Sequence, residues 1–158
     1  TIWVQHKSKE NLPGTLLQII DHYDPLSGQV RTYNLSLVKI HDIDEIKLHD
    51  SKDNLWLTGF GGNIVILNSK TGEYKIISIN TDAVNPMLKS AVITTLYEDA
   101  SGVFWAGTEN GLAKINFDYN SKAEPLVTWY KTNTANKASL NYGLVSSILD
   151  DPFDKNIL

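Results

Sequence analysis

Six residues of this chain have side chains able to stack on or hydrogen-bond a polar ligand. Phe60 and Tyr142 offer flat faces for stacking. Asn85, Asn110 and Asn141 offer amides that both donate and accept hydrogen bonds, and Glu109 offers a carboxylate for hydroxyl groups. Other groups with chemical potential read as structural. His6, His22, His41 and His49 show no metal-ligand spacing and no carboxylate-and-nucleophile constellation. Asp50, Asp99 and Asp151 recur along the chain, but no dense D-x-D-x-D run accompanies them, so they are expected to cap turns rather than to bind calcium. Asn34-Leu-Ser36 matches a glycosylation acceptor, a pattern that also arises by chance. No catalytic residue, metal site or cofactor is expected.

The elements that must position these residues are short strands and turns. Asp50 to Asp99, Trp56 to Trp105 and Gly62 to Gly111 are each separated by 49 positions. A repeat of that length, built of strands bounded by Gly, Asn, Asp and Pro, argues for β-propeller blades, each a four-stranded antiparallel meander. Residues 43–91 and 92–143 read as two full blades, residues 1–42 as strands two to four of an earlier one, and residues 144–158 as the start of another. Leu144–Asp150 is expected to be a first strand, Asp151–Asn156 a turn, and Ile157-Leu158 the start of a second strand. The predicted class is all-β, about three blade equivalents of a larger propeller. Within this frame Trp3, Trp56 and Trp105 are blade-packing residues whose indole N–H seeks a partner. Gly102 and its counterpart Asp53 take left-handed turn geometry, and Gly59, Gly62, Gly107 and Gly111 allow close approach and sharp reversal.

A meander alternates its connections between two ends. Loops joining second to third strands therefore share one end with the links between blades. That end carries 8–15, Phe60-Gly61, Glu109-Asn110, 35–42, 80–90 and 132–143, and with them all six ligand candidates.

The bulk composition excludes some partners. Net charge is −4 and arginine occurs once, at Arg31, so nucleic-acid binding is not expected. Cysteine is absent, which removes disulfides and thiolate metal sites. No apolar run approaches the roughly 20 residues of a membrane-spanning helix.

One repeat is specific enough to carry a resemblance. Leu96-Tyr97-Glu98-Asp99, Gly102, Phe104-Trp105, Gly107-Thr108, Gly111-Leu112 and Ile115-Asn116 resemble the two-component-regulator propeller repeat, and Ala138–Ile148 is similar to its link into the next blade. The copy around Trp56 is degenerate, with Thr58-Gly59 in place of Gly-Thr. The resemblance implies a seven-bladed propeller in the periplasmic sensor of a hybrid two-component system, detecting oligosaccharides and signalling to a histidine kinase in the parent protein. It also implies partners in the remaining blades. Three blade equivalents cannot close such a ring, so the chain is expected to be a piece of a longer protein or to associate with a second copy. Two other classes stay open: a scaffold propeller that binds protein, and an enzyme, either carbohydrate-active or quinone-dependent. For the latter, Asn68-Ser-Lys-Thr-Gly72-Glu73 faintly resembles a quinoprotein turn.

Overall fold

The computed structural model describes residues 1–9, 16–35, 43–80 and 92–151. Within them eleven strands form three antiparallel sheets. The first sheet is β1 (Ile2–Lys9), β2 (Leu16–Tyr23) and β3 (Val30–Asn34). The second is β4 (Ile43–His49), β5 (Asn54–Gly59), β6 (Asn63–Asn68) and β7 (Tyr74–Ser78). The third is β8 (Ile93–Glu98), β9 (Phe104–Thr108), β10 (Gly111–Asn116) and β11 (Leu126–Tyr130). Each is a meander in chain order.

The sheets stack face to face through two cores. Ile20 and Tyr33 of the first sheet meet Leu55, Leu57, Val65 and Leu67 of the second. On the opposite face of the second sheet, Trp56, Ile64, Ile66 and Ile77 meet Phe104, Ala106, Ala113 and Ile115 of the third. The second sheet is thus covered on both sides, and every residue of β5 is buried. Trp56 is wholly buried and stacks on Phe104 with centroids 4.0 Å apart, while Phe117 meets it edge-on at 5.7 Å. An aromatic pair of this kind adds about 0.5–1.5 kcal/mol beyond area burial.

The aspartates cap turns, as their spacing suggests. The Asp50 carboxylate accepts from the N–H groups of Lys52 (2.9 Å) and Asn54 (2.8 Å), from the Asn54 amide, and from Trp56 Nε1 (2.7 Å). The Asp99 carboxylate repeats the set with Ser101, Val103 and Trp105 Nε1 (2.8 Å). Asp53 and Gly102 close the two turns with φ of 64° and 80°. Both are left-handed, which glycine takes freely and aspartate tolerates.

Two expectations need correction. Trp56 pairs with Ile66, whereas Trp105 pairs with Lys114, so β6 and β10 are offset by 48 rather than 49. The counterpart of Gly111 is therefore Asn63, and Gly62 is the extra residue of a single 3-10 turn, Phe60–Gly62. The second correction concerns Leu144–Asp150, which is not a strand. It lies against the third sheet, with Val145 N–H donating to Thr108 O (3.0 Å) and Thr94 Oγ1 donating to Val145 O. A strand needs a ladder partner, and this segment has none among the described residues. Asp151 ends that segment, and its expected turn with Ile157-Leu158 lies outside the described residues.

Candidate functional site

Loops at one end of the stack carry the candidates, and the third sheet positions most of them. Thr108 ends β9 fully buried, with its hydroxyl donating to Gly111 O (2.8 Å) and accepting from Asn110 N–H (3.1 Å). That bracket fixes the two-residue connection Glu109-Asn110 as a tight reversal with both side chains exposed. Glu109 N–H donates to Val92 O (3.3 Å), tying the connection to the entry of β8.

The link that follows β11 comes back to this connection. Asn133 and Asn136 each turn the chain by accepting an N–H two residues on, from Ala135 and Ala138 at 3.0 Å. Ser139 Oγ ties Asn133 N–H and O together at 2.9 Å each. The chain then runs to Gly143, where an added Cβ would lie 3.2 Å from Glu109 O and 3.8 Å from Asn110 Cα. Asn141 and Tyr142 thereby arrive beside Glu109 and Asn110, although the sequence separates the two groups by some thirty positions. All four are exposed, Tyr142 at 83%. The structure places Phe60 in the turn at the same end of the second sheet; its side chain, like the whole of Asn85, lies outside the described residues.

A cavity of about 860 Å³ adjoins the link, and its lining was only partly foreseen. Trp105, Leu112 and Tyr130 form its floor on the outer face of the third sheet, and Asn133, Asn136 and Ser139 form its wall. The segment 132–143 marked that wall in the sequence. Tyr130 gave no signal in the sequence beyond being a strand-forming residue type. Trp105 contributes little accessible surface, being 5% exposed, with Lys114 Nζ 5.2 Å above its ring. The cavity offers hydroxyls, two amides and the Lys131 ammonium around an apolar floor, groups that can bond a polar ligand.

The opposite end is built differently. There Tyr119 donates to Asp50 across the sheet junction (2.5 Å), and Glu98 accepts from Ser51 N–H and Oγ (2.7 Å each). Burial pushes the Asp50 carboxyl up, but hydrogen bonds from Tyr119, Asn54 and Trp56 outweigh it and hold it below the ordinary carboxylate range. Asp99 is held low in the same way, by Ser101, Trp105 and Val103 against burial. A hydrogen bond to Asp150 pushes the Tyr97 hydroxyl up to about 12. Among the described residues no three His, Asp or Glu gather as a metal site, and no helix is long and apolar enough to cross a membrane.

Comparison with known proteins agrees with the fold. Residues 87–110, which hold the Asp99 turn, Trp105 and the Glu109-Asn110 connection, match the family model described as two component regulator propeller. No curated protein matches the chain. Among solved structures, the extracellular domain of a hybrid two component system from B. thetaiotaomicron is similar with a TM-score of 0.56 and 20% identity, over 87% of this chain. The chain spans 18% of that domain's length. A second such domain from the same organism gives a TM-score of 0.45 at 17% identity, over 94% of this chain and 24% of that one. The three sheets are β-propeller blades, and the stretch that matches the family model reaches from ahead of β8 through β9 of the third.

Proposed function

We propose that the chain is a non-catalytic blade segment of an extracellular or periplasmic sensor in a hybrid two-component system. Its loop end takes part in binding an oligosaccharide. The kinase that such a signal reaches belongs to the parent protein. The observation that supports this reading is the match over residues 87–110, because it includes the connection that carries Glu109 and Asn110. The convergence of Asn141 and Tyr142 on that connection supports the choice of end. A stacking tyrosine, two amides and a carboxylate together form a patch to which hydroxyl groups can bind, with no acid pair or nucleophile poised for cleavage.

The experiment is a glycan-array screen of the full-length protein followed by calorimetric titration with the best oligosaccharide. Glu109→Ala and Tyr142→Ala are each expected to weaken binding about tenfold, the loss of one or two hydrogen bonds or of a stacking surface. Unchanged affinity in both variants would remove the loop end from ligand binding. Capture of a protein with no glycan bound would favour the scaffold reading, and hydrolysis of a glycan would favour an enzyme.

A further inference from the structure

Asn110 is the one asparagine of this chain that is followed by glycine. It lies on the connection between β9 and β10, its side chain is exposed, and its amide has no hydrogen-bond partner among the described residues. Several other asparagines are held. The Asn54 amide donates to Asp50, the Asn80 amide donates to Gly61 O, and the side-chain oxygens of Asn68, Asn133 and Asn136 each accept a backbone N–H. Asn116, Asn120 and Asn141 are exposed as well, but Phe, Ser and Tyr follow them. An amide without a partner is free to turn its Cγ toward the nitrogen of the next residue, and a glycine there has no side chain to block the approach.

The fold also demands that glycine. Gly111 has φ of 135°, and a Cβ on it would meet Tyr130 O at 2.5 Å. The residue that leaves Asn110 open to attack is therefore one the hairpin cannot replace without moving Tyr130. We propose that Asn110 is a site of spontaneous succinimide formation, through which the protein exchanges a neutral amide at its loop end for a carboxylate. The Gly111 nitrogen gives up its proton and bonds to Asn110 Cγ; the Cγ–Nδ2 bond breaks, and Nδ2 leaves as ammonia with that proton. Water then opens the five-membered ring. Opening at Cγ gives aspartate, and opening at the main-chain carbonyl gives isoaspartate, in which the chain runs through the side-chain carbon.

The structure separates the two products. Thr108 Oγ1 straddles the reacting peptide, accepting from Asn110 N–H at 3.1 Å and donating to Gly111 O at 2.8 Å. Aspartate leaves the backbone unchanged and keeps both bonds. Isoaspartate inserts one carbon between those two groups, and the hydroxyl then loses at least one of them. Either product adds one negative charge to a net charge of −4 and places a second acid beside Glu109, where an amide that donates and accepts becomes an acceptor alone.

The test is peptide mass spectrometry on the full-length protein, incubated folded at mildly alkaline pH. Amide-to-acid conversion is expected at Asn110 at least tenfold faster than at any other asparagine. Part of the product is expected to be isoaspartate, read by enzymatic methylation of that residue, and the isoaspartate molecules should unfold at lower urea than the aspartate ones. Asn110→Gln, whose side chain would need a six-membered ring, should abolish the fast conversion and leave the Thr108 bracket in place. Conversion at Asn110 no faster than at Asn120, which is exposed and followed by serine, overturns the proposal. Fast conversion confined to urea-unfolded protein also overturns it, because the folded hairpin would then protect the amide.

Discussion

Replacing Asp50 with alanine should destabilise the protein more than the same change at Asp99, and the difference follows from who is left behind. At Asp50 the losers are Trp56 Nε1 and the Asn54 amide, both in buried residues, and Tyr119 OH, which reaches in from the third sheet. Water cannot replace the carboxylate for Trp56, which is wholly buried. Each stranded buried donor costs about 1–3 kcal/mol, so Asp50→Ala is expected to cost about 3–5 kcal/mol after partial relaxation. At Asp99 only Trp105 Nε1 is comparably enclosed; Ser101 is exposed and can bond to solvent. About 1–2 kcal/mol is expected there. Equilibrium urea unfolding of both variants measures the two values, and the double variant Asp50→Ala/Tyr119→Phe tests the origin of the excess. Removing Tyr119 OH should cost less in the Asp50→Ala background than in the wild type, because its partner is already gone. Equal losses at Asp50 and Asp99, or additive effects of Asp50 and Tyr119, would refute the claim that the cross-junction network makes the difference.

Two further outcomes are expected. Gly107→Ala would place a Cβ 2.6 Å from Thr95 Cγ2 and 2.8 Å from Val145 O, and should cost about 1–3 kcal/mol by overpacking, measured by the same urea unfolding. Acid should act through Asp50 and Asp99. Their folded pKa values lie below the ordinary aspartate range, so their stabilisation is complete above that range and is lost as pH falls through the lower folded values. Unfolding midpoints measured between pH 5 and pH 2 should fall steeply below about pH 4, and Asp50→Asn should flatten that fall.

The strands were legible because their boundaries are written in turn chemistry. Asp53 in the glycine position, Gly102 and the Asp-to-Trp spacing marked the strand starts: β5 begins directly after Asp53 and β9 two residues after Gly102. The register of β6 against β10 was hidden, because a repeat counted from Trp56 and Trp105 carries a loop insertion forward as if it were strand. Only the pairing of Ile66 and Lys114 with the tryptophans exposes the extra residue. Alternation was also a partial guide. Ile64 and Ile66 line one core, but Val65 and Leu67 between them are equally buried in the other, because the second sheet has no solvent face. Leu144–Asp150 carries strand-like residues yet forms no ladder among the described residues, since propensity cannot supply the partner. For the site, the sequence could assign loops to an end but not the return of Gly143 onto Glu109, which depends on the turns set by Asn133, Asn136 and Ser139.

The two ends of the stack differ in how freely their side chains can change without loss of the fold. The turn end carries much of the polar traffic between sheets. Tyr119 bonds Asp50, Ser51 bonds Glu98, Arg31 and Tyr33 bond the Ser69 carbonyl, and Lys75 Nζ donates to Ser121 O at 2.5 Å. These contacts bind each sheet to the next, and the buried ones, at Asp50 and at the Ser69 carbonyl, cannot lose one group without stranding another. At the loop end Glu109, Asn110, Asn141 and Tyr142 are exposed, and the reversal beneath them is held by the Thr108 hydroxyl and by backbone. Substituting those side chains leaves the bracket intact. If the loop end binds ligand as proposed, its side chains can change there while the junctions at the other end stay fixed.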